Sequence, residues 1–107
     1  MRETRLVIDY LMAFSEKRID DLSHMFDDNI ELIDWDNHVV GKEAVLLFNI
    51  GLFDSVKKID VYVDQLGDGG DVVFAKIKVI IDQTVLNVVD VITVANGKIK
   101  RIEAYKQ

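Results

Sequence analysis

The chain has 107 residues, half of them hydrophobic and 30% charged, which fits one globular domain over residues 1–107 and excludes a disordered chain. It has no cysteine, which removes disulfide scaffolds and Cys-ligated metal or iron-sulfur sites. A net charge of -6 argues against nucleic acid or an anionic membrane as partner, because either is repelled at long range.

In chain order, residues 4–16 place Val7, Tyr10, Leu11 and Phe14 on one stripe of a helix. The apolar run at 6–14 is broken by Asp9 and Tyr10 and lacks a small-residue cleavage site, so neither a signal peptide nor a membrane span is expected. A soluble, cytoplasmic protein is the default. Ile19, Leu22, Met25 and Phe26 repeat the helical pattern over a shorter length, with Asp20 and Asp21 suiting a first turn. Residues 29–35 then change period. Ile30, Leu32 and Asp34 share one face of a strand, and Glu31, Ile33 and Trp35 the other. Asp36, Asn37 and His38 turn the chain.

From Gly41 the composition is helical again, with Gly51 expected to stop or kink the helix. The rest reads as strand. Residues 58–66 alternate Ile59, Val61 and Val63 against Asp60, Tyr62 and Asp64, and Gly67 to Gly70 form a loop. Residues 72–82 turn Val73, Ala75, Ile77, Val79 and Ile81 one way and Lys76 and Lys78 the other. Residues 85–95 are apolar on both faces, as in a strand covered on each side. Asn96-Gly97 is a two-residue hairpin turn leading to a last strand over 98–105. The predicted fold is α+β, with N-terminal helices packed on one face of a curved, mainly antiparallel sheet. The uncovered side of the central strand points to a homodimer packed sheet to sheet.

Asp90 stands among Leu86, Val88, Ile92 and Val94 on one face of the most hydrophobic strand. A lone ionised carboxylate there is costly, so it must pair, reach water or stay protonated. It is either a strand carboxyl bonded to a neighbour or a pocket acid whose pKa is raised until it donates a hydrogen bond. Asp34 is either a turn former, in company with Asp36 and Asn37, or a partly solvated base directed toward the helices. Tyr10 is either a core tyrosine with a satisfied hydroxyl or a donor carried inward. Asp34, Asp36 and His38 have the alternate spacing of a hard-metal loop but lack a flanking carboxylate, so no metal is expected. His24 and His38 read as surface histidines. The glycine loop at 67–70 lacks the following helix that a phosphate site requires, and no acyl-transfer or zinc-hydrolase motif occurs.

Several stretches together resemble one family. They are the first helix with Tyr10, residues 19–26, Asp28-Asn29-Ile30-Glu31-Leu32-Ile33-Asp34, Gly41-Lys42-Glu43-Ala44-Val45, Val89-Asp90-Val91, Asn96-Gly97-Lys98-Ile99 and Ala104-Tyr105. The chain resembles the nuclear transport factor 2-like (NTF2-like) superfamily over nearly its whole length, in the branch of SnoaL-like and ketosteroid isomerase-like proteins. The resemblance implies a cone-shaped, cystatin-like α+β fold, an apolar pocket between sheet and helices, and a dimer. In the isomerases of that branch the oxyanion tyrosine, the general-base aspartate and a protonated aspartic acid match Tyr10, Asp34 and Asp90, and the charge logic for Asp90 is carried over from them. Phe26 and Asn49 stand where those isomerases carry further tyrosines, and Trp35 replaces a proline. The function so implied is a cofactor-independent proton shuttle next to a carbonyl of a small apolar molecule. The alternative is a dimeric module that binds a small ligand or a protein without chemistry. Leu11, Phe14, Phe26, Trp35, Phe48, Phe53 and Phe74 are the expected pocket side chains.

Overall fold

The computed structural model describes residues 2–107, with the element order α1 (Arg2–Ser15), α2 (Ile19–Met25), β1 (Phe26–Ile33), β2 (His38–Val40), α3 (Lys42–Ser55), β3 (Ile59–Asp68), β4 (Val72–Ile81), β5 (Thr84–Ala95) and β6 (Lys98–Lys106). The six strands form one sheet in the order β2-β1-β6-β5-β4-β3. From β3 to β6 it is an antiparallel meander, and β1 joins β6 in parallel, a pairing that the long connection between them allows.

Helix α1 buries Val7, Tyr10 and Leu11 of the expected stripe, with Phe14 partly buried, and adds Ala13 beside them. It ends where Lys17 takes a left-handed conformation (φ 57°) and the Arg18 N–H donates back to the Ala13 carbonyl at 2.8 Å. The Lys17 ammonium then donates to the carbonyls of Phe53, Val56 and Lys57. One side chain thereby ties the end of α1 to the end of α3, where carbonyl partial charge favours a cation. At the same place the Asp82 carboxylate accepts the N–H groups of Lys57 and Lys58, each at 2.9 Å.

Irregularities in register bend the sheet. They fall between Val63 and Gln65 in β3, between Thr93 and Val94 in β5 opposite β6, and between Phe26 and Glu31 in β1. Each adds local twist, so the sheet curls around the helices without closing. Asn96 and Gly97 both have positive φ (54° and 74°), the requirement of the tight β5–β6 turn. The inner face is packed solid at one end, where Val73, Ile92, Ile99 and Ile102 meet Val7, Leu22, Phe26, Ile30 and Val45.

Several expectations change in detail. Strand β1 begins at Phe26, expected in the second helix, and ends at Ile33, before Asp34 and Trp35, while β3 runs through Gly67 to Asp68 into the expected loop. Residues 38–40 form a short edge strand, β2, where His38 was expected only to turn the chain, and it pairs with 31–33 of β1. Gly51 does not end α3, which continues to Ser55, because the helix-favouring apolar stripe extends to Phe53. The outer face of β5 is only half-covered, with Val85 exposed and Val89 and Val91 intermediate, since nothing within the chain packs on that side.

Candidate functional site

At the end of the inner face away from the solid core, the sheet and helices enclose a cavity of about 590 Å³, within the size range of small-molecule sites. Its walls follow from strand parity. Along β5, Leu86, Val88 and Asp90 line it, whereas Ile92 and Val94 on the same face fill the core. Along β4, Ile77, Val79 and Ile81 line it, and Val73 and Ala75 do not. Helix α1 supplies Tyr10, Leu11 and Phe14, and α3 supplies a run from Leu47 to Ser55. Asp90 therefore stands where the cavity meets the packed core.

Tyr10, Asp34 and Asp90 all line this one cavity. Asp90 is 6% exposed and has no hydrogen-bond partner among the described residues. Burial without a partner penalises the charged form and pushes its carboxyl up to about 7. Near neutral pH a large share of it is the acid, able to donate. Tyr10 is equally buried. Desolvation, and then the nearby Asp90 carboxylate, hold its phenol well above the usual range, so its O–H stays a donor at any working pH. Its ring packs against Phe14 and Phe26, with centroids at 6.3 and 6.1 Å.

Asp34 differs from the other two. It follows directly after β1, and its Oδ1 accepts the backbone N–H groups of Asp36 (2.8 Å) and Asn37 (2.7 Å) and the Asn37 amide (3.1 Å). Its Oδ2 has only a long contact of 3.3 Å to that same amide. One oxygen therefore builds the turn, as the turn-former reading expects, and the other makes only that long contact. His38 points away to pair with Glu31, and among the described residues no group of three or more His, Cys, Asp or Glu could hold a metal ion.

Of the expected wall residues, Leu11, Phe14, Trp35 and Phe48 line the cavity. Phe26, Phe53 and Phe74 do not, and each departure has a geometric reason. Phe26 opens β1 beneath the Tyr10 ring and is swallowed by the core. Phe53 lies behind Phe14, ring to ring at 5.6 Å, and Phe14 takes the cavity-facing place. Phe74 has the opposite parity to Val73 and Ala75, so it projects from the outer face and is 46% exposed. Trp35 sits at the rim with the Lys106 ammonium 5.1 Å from its ring centroid.

Much of the remaining wall, including Leu32, Leu52, Val61 and Ile102, lies outside the expected pocket residues, and its one polar member from the buried stripe of α3 is Asn49. Asn49 is 5% exposed and lines the cavity from α3. The signal was present, because Val45, Asn49 and Phe53 follow one another at intervals of four and form the buried stripe of that helix.

A sequence comparison with curated proteins finds no match. Among solved structures the fold recurs with high similarity. A protein from Shewanella denitrificans provisionally named a SnoaL-like polyketide cyclase superposes with TM-score 0.90 at 14% identity, covering 98% of this chain and 90% of that one. A provisionally named ketosteroid isomerase from Kribbella flavida gives 0.88 at 13%, covering 99% and 78%. An LEH-like epoxide hydrolase from M. tuberculosis gives 0.86 at 18%, covering 99% and 83%. At such identities the likeness fixes the NTF2-like fold and transfers no reaction. The SnoaL-like domain profile matches residues 7–102, and with that match over most of its length the chain belongs to the SnoaL-like family.

Proposed function

We propose that the cavity binds a small apolar molecule carrying a carbonyl and moves a proton next to that carbonyl. The observation that carries the reading is that Tyr10, Asp90 and Asp34 line a single apolar hollow, where burial raises the Asp90 carboxyl toward neutrality and favours its donor form. Asp34 Oδ2 takes a proton from the carbon beside the carbonyl, and the electron pair moves onto the carbonyl oxygen as an enolate. Tyr10 and Asp90 donate hydrogen bonds to that oxygen as its charge develops. Asp34 then returns the proton further along the conjugated system. Donors fixed in a dry site act more strongly than the same groups in water, because no solvent has to reorient. None of these steps uses a cofactor.

The test follows conjugation of an unconjugated enone by absorbance. Asp34→Asn is expected to lower turnover by at least a hundredfold while still binding the enone, and Tyr10→Phe to lower it by tenfold or more. Equal rates for wild type and Asp34→Asn would remove the assignment.

A second reading is favoured by the hydrogen bonds that commit Asp34 Oδ1 to its own turn. In it the cavity holds the ligand without chemistry, and the enone binds but is not converted. Under either reading, two copies pair through the outer face of the sheet. That face carries exposed Phe74 and Tyr105 beside half-buried Val89 and Val91, an apolar area that a second sheet would cover.

A further inference from the structure

The buried stripe of α3 is apolar except at its centre. Asn49 lies four residues after Val45 and four before Phe53, all three buried, and its carboxamide has no hydrogen-bond partner among the described residues. Two features single out this one position. Asparagine is a poor helix former in a helix interior, and an amide without a protein partner can bond only to what occupies the cavity it lines. The other polar groups on the wall do not account for it. The Ser55 hydroxyl donates to the Leu52 carbonyl at 2.9 Å, and Asp34 is bonded within its turn. Tyr10 and Asp90 are near enough to feel each other's charge, yet neither bonds to Asn49. Asn49 also comes from a different wall, since α3 packs over β1, whereas Asp90 rises from β5.

We propose that Asn49 is a specificity-determining residue that reads a second oxygen function on the bound molecule. The preferred ligand is then a compact apolar compound with two such groups, one held by Tyr10 and Asp90 and the other, a hydroxyl or carbonyl, by the Asn49 amide. The amide has two donors and one acceptor, so it can serve either kind of oxygen. Discrimination of this type is strong. A ligand lacking the second oxygen leaves the buried amide unanswered, whereas the correct ligand repays its desolvation. This inference rests on the cavity being a ligand site, as in the preceding reading, but not on any proton transfer.

The experiment compares 2-naphthol with the 1,7-, 2,6- and 2,7-dihydroxynaphthalenes by titration calorimetry against wild type and Asn49→Leu. In wild type, at least one diol is expected to bind tenfold or more tighter than 2-naphthol. In Asn49→Leu that ratio is expected to fall to about one, because the diol loses its bond to the amide and 2-naphthol no longer leaves that amide unanswered. A wild type without preference, or a variant that keeps it, overturns the inference. Should Asn49→Leu not fold, the wild-type side-chain ¹⁵N signal of Asn49 decides: it must shift with the preferred diol and stay still with 2-naphthol. Loss of preference in Asn49→Leu without any enone turnover supports Asn49 and removes only the catalytic reading. Failure of all four compounds to bind wild type removes the ligand site and this inference with it.

Discussion

Replacing Asp90 by asparagine keeps the shape of the side chain and removes its ability to ionise. In the folded protein burial raises the Asp90 carboxyl from 3.8 to about 7, so between these values the unfolded chain is ionised there and the folded chain is not. Below pH 4 both states hold the proton, and the residue adds no pH dependence. As pH rises from 4 to 7 the folded state binds more protons than the unfolded one, so wild-type stability falls by ~1.4 kcal/mol per pH unit from this group alone. Above 7 the loss levels off. The gap between 3.8 and about 7 amounts to about 4 kcal/mol, a large share of the ~5–15 kcal/mol typical of a domain. Asp90→Asn does not ionise, and every other titrating group is common to both proteins, so the difference between them isolates Asp90. Urea unfolding of each, followed by the fluorescence of the sole tryptophan, Trp35, at pH 4 to 8 gives the two curves. The variant should match wild type near pH 4 and exceed it by about 4 kcal/mol at pH 8. A difference that stays constant across the window would show that Asp90 is not desolvated, and the neutral donor would be lost with it.

Four further outcomes follow from the same geometry. Tyr10→Phe removes a buried hydroxyl with no protein partner, so its melting temperature should hold or rise slightly, while affinity for a naphthol ligand drops about tenfold, read by calorimetry. Gly51→Ala adds a methyl where nothing lies within 4 Å, inside α3 and on the cavity wall; urea unfolding should show a gain of ~0.5–1 kcal/mol, with weaker binding of the bulkiest ligands. Lys17→Met releases the carbonyls of Phe53, Val56 and Lys57 and should cost ~1.5–3 kcal/mol in the same assay. Phe74→Glu places a charge on the outer sheet face and should shift sedimentation from dimer to monomer, leaving ligand affinity unchanged.

Much of this architecture is legible because strand and helix periods are strict. Alternation alone separates Val73, Ala75, Ile77 and Val79 from Lys76 and Lys78, and the Asn96-Gly97 turn fixes where β5 meets β6. The same parity places Phe74 outside, and including it among the pocket residues set size and aromaticity above its position in the strand. Trp35 follows a different rule. It lies beyond the end of β1, where alternation no longer governs direction, and the Asp34 turn brings it to the cavity rim. Phe26 and Phe53 show what periodicity leaves out. Both face inward as their spacing says, yet whether an inward side chain fills the core or lines a hollow depends on the curvature of the sheet. That curvature comes from register irregularities that no local pattern announces. The pairing of β1 with β6 is long-range and leaves no local pattern, and β2, three residues long, is too short to show alternation. Asn49 was legible in principle, as a polar residue midway between two buried apolar ones on a single helical stripe.

The titration of the Asp90 carboxyl itself tests most directly whether this hollow is dry enough to keep an acid neutral. With ¹³C-labelled aspartate, the resonance missing in Asp90→Asn identifies the residue, and its chemical shift is followed from pH 3 to 9. A midpoint near 7 is the predicted result. A midpoint near 4 would mean that water reaches the carboxylate, contradicting the account of Tyr10 and Asp90 as paired neutral donors.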